Sequence, residues 1–138
     1  MDAHIELKKI ISRKKISTVF QPIICLSDGN IIGYEALSRG PENSILQSPI
    51  KLFNAAETYN MNWELELLCR TKALENAHFL EKNKLLFINV DPLILTNCNN
   101  KLNQFVFILK SLKLLMLHKL YLIVLRIDLR GFCIGVYV

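Results

Sequence analysis

The sequence predicts an α/β fold, and three stretches carry that prediction. Two apolar runs flank the pair Asp28-Gly29, a hairpin signal because Asp and Gly tolerate the positive backbone angles of a tight turn. Ser48-Pro49 opens one helical pattern and a second follows from about Asn62 to Phe79. Lys84 to Val90 is then a continuous apolar strand, the pattern of a strand buried on both faces of a parallel sheet. The resulting order is helix, hairpin, two helices, strand.

The first element, His4 to Lys15, reads as a short helix with Ile5, Leu7, Ile10 and Ile11 as its apolar stripe. Thr18 to Leu26 is a strand interrupted by Pro22. Proline has no amide to give to a ladder, so this strand is expected at an edge, at a bulge, or in unusual pairing. In the next strand, alternation puts Ile31, Gly33, Glu35, Leu37 and Arg39 on one side and Ile32, Tyr34, Ala36 and Ser38 on the other. Gly33 is expected to leave room beside Glu35 for an ion or ligand. Gly40-Pro41-Glu42-Asn43-Ser44 is loop chemistry. Ser48 is expected to cap the following helix by accepting from its first amides, with Pro49 at the first helical position. Ile50, Leu52, Phe53 and Ala56 are expected to point inward, and the helix to end near Asn60. The next helix should bury Leu67, Leu74 and Ala77, with Glu66 and Arg70 paired one turn apart. Trp63 is expected in the core, and His4 and His78 at the surface or boundary.

Bulk properties narrow the function. The chain has 138 residues, 51% hydrophobic and 21% charged, which fits one folded domain rather than a disordered segment. Its net charge of +5 does not point to nucleic acid, because residues 1–100 balance at 11 basic and 11 acidic side chains. The excess lies in residues 101–138, where six basic residues face Asp128 alone. Cys25, Cys69, Cys98 and Cys133 form no Cys-x-x-Cys pair. They predict free thiols and a cytoplasmic protein rather than a disulfide framework or zinc site. No signal peptide is expected at the charged N-terminus. Phe105 to Leu125 is apolar but holds Lys110, Lys113, His118 and Lys119. Each central Lys costs about 2.5–3.5 kcal/mol on insertion, so neither a membrane span nor a clean amphipathic face is expected.

Candidate ligands come from the two adjacent strands. If these strands run parallel side by side, Glu35 and Asn89 both sit towards their C-terminal ends, the catalytic face of a β/α barrel. A carboxylate and an amide carbonyl are hard oxygen donors suited to Mg2+ or Mn2+. Arg39 carries a planar fork that donates two bonds at once, apt for an oxyanion. Each residue also has a plainer reading: Glu35 as a solvated strand glutamate, Asn89 as a strand-end cap, Gln21 as a partner for backbone beside Pro22, and Arg39 as a partner of Glu42. Asp91, before Pro92, reads as a turn former.

Three motifs, Phe20-Gln21-Pro22-Ile23, Gly33-Tyr34-Glu35-Ala36-Leu37-Ser38-Arg39 and Phe87-Ile88-Asn89-Val90-Asp91-Pro92, resemble in order and spacing the opening third of an EAL domain. That family comprises bacterial phosphodiesterases that linearise the second messenger cyclic di-GMP to pGpG. The resemblance covers about residues 16–92. It implies an incomplete TIM-type β/α barrel acting in signal transduction, with cyclic di-GMP as ligand and with self-association or a sensory domain as further partners. It assigns metal binding to Glu35 and Asn89, with Glu35 catalytic, and substrate contact to Gln21, Leu37 and Arg39. The chain then divides into an EAL part, residues 1–92, and an apolar, basic tail, residues 93–138.

The family also implies motifs further along: a Glu-Ile-x-Glu-like strand, an Asp-Asp-Phe-Gly-like strand, then a lysine, a glutamate and a glutamine. From Leu93 to Val138 the chain offers one carboxylate, Asp128, and Arg126-Ile127-Asp128-Leu129 matches none of these. A barrel of this kind takes about 250 residues to close. The expectation is a truncated phosphodiesterase domain without activity alone; the alternative is a degenerate module that senses cyclic di-GMP or binds a protein. A frameshift or premature end in a gene for a complete domain, with the tail read out of frame, is the expected source of the change of composition. Shifting the reading frame of the encoding DNA just after Pro92 should then restore Glu-Ile-x-Glu-like and Asp-Asp-Phe-Gly-like segments, and sequencing the locus checks this.

Overall fold

A computed structural model describes residues 2–81 and 83–89. Val90, Asp91, the 93–138 tail, Cys98, Cys133 and Asp128 lie outside these residues. The described elements are α1 (Ala3–Ser12), β1 (Ser17–Ile24), β2 (Ile31–Arg39), α2 (Pro49–Thr58), α3 (Asn62–Asn76), a 3-10 turn (Ala77–Phe79) and β3 (Leu85–Ile88). The mixed α/β order matches the sequence reading. The chain divides into two compact units, one from residues up to Val19 with Leu37–Asn76, the other from Phe20–Ala36 with the residues from Ala77 onward.

In the first unit the three helices pack on one another. Asp2 caps α1, its carboxylate accepting from the His4 amide at 2.8 Å. The helix ends at Ser12, earlier than Lys15, because Lys14 takes a left-handed φ of 53° and the chain turns back, with the Lys15 amide donating to the Ile10 carbonyl. Leu7 and Ile10 are buried, but Ile5 is 64% exposed. At about 100° per residue, Ile5 stands nearly opposite Leu7, so the true stripe is Ala3, Glu6, Leu7 and Ile10.

The same geometry corrects α2. Leu52, Ala55 and Ala56 are buried and Phe53 packs beside them, while Ile50 is 72% exposed. Ser48 occupies the cap position without a side-chain capping bond; its carbonyl accepts from the Leu52 amide at 2.9 Å, and Pro49 has no amide to satisfy. In α3 the expected Glu66–Arg70 pair forms at 2.6 Å, and Arg70 also lies 5.7 Å from the Trp63 ring centroid. Leu74 and Ala77 are buried as expected, whereas Leu67 is half-buried and Leu65, Leu68, Cys69 and Ala73 carry the rest of the inner face. Trp63 is likewise half-buried rather than core. His4 is half-buried, stacked 4.4 Å from Tyr59, and His78 is exposed. Among the described residues Cys25 and Cys69 are free thiols, and burial pushes the Cys69 thiol up to about 11.

In the second unit, β2 pairs with β3 in parallel, with Gly33 opposite Leu85, Glu35 opposite Phe87 and Ala36 opposite Ile88. The sheet order is β1-β2-β3. Six residues join β1 to β2, too few for the crossover that a parallel pair needs, so this pair is the antiparallel hairpin expected. Its turn is fixed by Gly29 at φ 72° and by the Asn30 amide donating to the Asp28 carboxylate at 3.0 Å. That bond holds the Asp28 carboxyl below its ordinary value. Burial along β1 alternates through Thr18 and Phe20, then slips by one residue so that Ile23 is next. A slip of this kind at Gln21-Pro22 is what a bulge produces. Phe79 packs edge-on against Phe20 and Tyr34, and the Lys84 ammonium donates to the Ile31 carbonyl at 2.7 Å.

Gly33 does not leave space for a ligand. A Cβ there would lie 2.4 Å from the Leu85 carbonyl oxygen and 2.8 Å from the Phe87 ring, so the missing side chain lets β3 approach β2. Gly33→Ala should therefore destabilise the chain by about 1–3 kcal/mol, measured from urea unfolding midpoints. Wild-type stability in that variant would contradict the β2–β3 register.

Candidate functional site

The parallel register builds the centre of the site. Glu35 stands in the middle of β2 opposite Phe87, and Asn89 follows Phe87 by two residues, so both side chains emerge on the same face. The Asn89 amide nitrogen donates to the Glu35 Oε1 at 2.8 Å. Glu35 is half-buried and Asn89 exposed, so the pair opens to solvent. The structure thus brings together the two residues that the sequence assigns to metal.

The remaining candidates are placed separately. Gln21 is exposed on β1 at the slip beside Pro22. Leu37 and Arg39 continue β2 at two-residue intervals after Glu35, both half-buried. The Arg39 guanidinium donates to the neighbouring Ser38 carbonyl at 2.9 Å, and the Arg39 carbonyl accepts from the Ser17 hydroxyl at 3.4 Å. Arg39 is thus engaged with backbone rather than with Glu42.

Sequence reasoning missed a buried polar pair in the loop that follows Arg39. Glu6 of α1 is buried, and its carboxylate accepts from the Ser44 hydroxyl at 2.8 Å. The Ser44 hydroxyl also accepts from the Leu46 amide, and a Cβ on Gly40 would collide with the Leu46 carbonyl at 2.1 Å. These contacts fold the 40–47 loop tightly. The sequence signal was available in the position of Glu6 between Ala3, Leu7 and Ile10 on one helical face.

The donors fit part of a metal site. Neighbouring oxygens on a Mg2+ octahedron lie about 3 Å apart, from metal–oxygen distances near 2.1 Å. The 2.8 Å between Glu35 and the Asn89 amide matches that edge, and turning the amide would present its oxygen in place of nitrogen. Two donors are far fewer than the six that Mg2+ takes. Among the described residues no group of three or more His, Cys, Asp or Glu side chains converges.

With this geometry in place, the family model for the EAL domain matches residues 5–119. The chain belongs to the EAL domain family. The match extends past the 16–92 stretch at both ends, so the likeness is not confined to the three motifs and enters the apolar tail. The FimX EAL domain from Pseudomonas aeruginosa, solved bound to c-di-GMP, superposes with a TM-score of 0.67 at 19% identity, covering 82% of this chain and 46% of that one. The PaMucR phosphodiesterase, solved as a c-di-GMP complex, gives a TM-score of 0.67 at 16% identity, with coverages of 88% and 51%. Klebsiella pneumoniae BlrP1, solved as a manganese and cyclic di-GMP complex, gives 0.56 at 22% identity, with coverages of 72% and 24%. No curated protein sequence matches the chain. The chain spans about half the length of the FimX and PaMucR domains, so its EAL fold is part of a TIM-type β/α barrel. The family is metal-dependent. The family tripeptide Glu35-Ala36-Leu37 lies within β2, which places its carboxylate beside Asn89 through strand pairing. No helix among the described residues is long and apolar enough to cross a membrane.

A water-exposed hydrogen bond contributes little to stability. Asn89→Ala should cost no more than about 1 kcal/mol in chemical denaturation. A loss several times larger would show that Asn89 holds β3 in place rather than serving as an open donor.

Proposed function

We propose that this chain is a truncated cyclic di-GMP phosphodiesterase domain that does not hydrolyse the dinucleotide by itself. The observation that carries this reading is the Glu35–Asn89 pair, which supplies one edge of a divalent-metal site and no more among the described residues. Glu35 and Asn89 would hold Mg2+ or Mn2+, which would polarise a phosphoryl oxygen and acidify a bound water when the rest of its ligands are present. Gln21 would hydrogen-bond the dinucleotide, Leu37 would give it an apolar contact, and Arg39 would turn its guanidinium from the Ser38 carbonyl to a phosphodiester oxygen. Glu35 is the residue whose loss removes the metal edge and with it any hydrolysis to pGpG. The division proposed is an EAL part, residues 1–92, and a divergent tail, residues 93–138, of which the portion up to residue 119 still matches the family. The setting proposed is the cytoplasm, where the free thiols Cys25 and Cys69 stay reduced.

A second reading is a non-catalytic module that senses cyclic di-GMP. The shortage of metal donors favours it, because binding a dinucleotide needs fewer anionic ligands than cleaving it. Calorimetry with cyclic di-GMP, paired with a hydrolysis assay in Mn2+, separates the two. No turnover is expected from the 138-residue chain. Heat of binding without turnover supports the sensing module, and neither signal supports an inactive fragment. Rapid turnover that disappears in Glu35→Gln would overturn the proposal.

A further inference from the structure

A carboxylate on an apolar helix face needs a hydrogen-bond partner, because its charge is costly to remove from water. Glu6 is 8% exposed, on the same face of α1 as the buried Leu7 and Ile10. Its Oε1 accepts from the Ser44 hydroxyl at 2.8 Å, 38 residues further along the chain. An alanine or leucine would fill this position of α1 without that demand. What the carboxylate adds is a hold on the 40–47 loop.

Ser44 is the hub of that loop. Its hydroxyl accepts from the Leu46 amide at 3.2 Å, its amide donates to the Pro41 carbonyl at 3.1 Å, and its carbonyl accepts from the Gln47 amide at 3.0 Å. The Gly40 amide closes the loop on the Gln47 carbonyl at 3.1 Å, and Leu46 is buried in the helical core. Gly40 follows Arg39 directly, and the Arg39 carbonyl is itself held by the Ser17 hydroxyl at 3.4 Å. Glu6, Ser17, the end of β2 from Leu37 and the loop all belong to one compact unit.

We propose that Glu6 and Ser44 are positioning residues for Arg39: their bond fixes the loop, and the loop fixes the backbone from which the guanidinium reaches a phosphodiester oxygen. Neither residue touches the dinucleotide in this arrangement. An arginine side chain has many rotamers, so an anchored backbone lowers the ordering that ligand binding must impose. The inference rests on the proposed contact between Arg39 and cyclic di-GMP, and it makes no use of the metal edge at Glu35.

The test compares the full 138-residue chain with Ser44→Ala and Ser44→Thr, first without ligand. In nitrogen-edited NMR the Arg39 Nε signal should move in Ser44→Ala and return in Ser44→Thr, which restores the hydroxyl. By calorimetry, affinity for cyclic di-GMP should fall about tenfold in Ser44→Ala, a coupling of the size found between residues of one network. In an Arg39→Ala background the same substitution should lower affinity no further. If Ser44→Ala does not fold, Glu6→Leu, which suits the apolar face, takes its place, with Glu6→Gln as the conservative variant. An unmoved Arg39 signal overturns the proposal, and so does an equal loss of affinity with and without Arg39. If the unaltered chain does not bind, the ligand assigned to Arg39 is refuted, and the positioning of its guanidinium stands or falls on the signal alone. The signal also decides if Arg39→Ala abolishes binding.

Discussion

The close approach of β3 to β2 is the constraint on which the site depends. Gly33 has no side chain, and the Leu85 carbonyl and the Phe87 ring occupy the place where one would be. That approach sets the parallel register, which puts Phe87 level with Glu35 and carries Asn89 to the same face. A slip of one residue would turn Asn89 to the opposite face, because side chains alternate along a strand. The 2.8 Å contact between Glu35 and Asn89 is therefore a consequence of a backbone fit two residues away.

The helical unit works by different physics. Leu7, Ile10, Leu52, Leu65 and Ala56 form a dry cluster in which each fully buried leucine or isoleucine contributes about 1.5–3 kcal/mol. Charged groups enter it only with partners: Glu6 with Ser44, and Arg70 with Glu66 and the Trp63 ring. Burying a carboxylate without a hydrogen bond would be costly, so Ser44 fixes both Glu6 and the loop that carries it. Because that loop begins directly after Arg39, the helical unit defines where the last residue of β2 leads.

Fold and chemistry make different demands on this chain. The EAL likeness reaches residue 119, and the fold is part of a TIM-type β/α barrel. Hydrolysis asks for more: a divalent ion caged by several oxygens, and a water held against phosphorus. Past Pro92 the sequence contributes one carboxylate, Asp128.

Much was legible in the residues themselves. The Asp-Gly turn, the disturbance at Pro22, the Glu66–Arg70 pair and the joint placement of Glu35 and Asn89 follow from local rules of spacing, turn chemistry and alternation. What the sequence by itself determined, then, was the order of the elements and the presence of Glu35 and Asn89 on neighbouring strands. Tertiary structure decided which side of each helix faces inward, so that Ile5 and Ile50 stand in water and Ala55 does not, because burial is settled by the neighbouring helix rather than by hydrophobicity. It also decided that Gly33 admits a strand instead of a ligand, and that Glu6 reaches Ser44 across 38 residues. Those outcomes depend on which distant segments touch, and no local pattern encodes that distance.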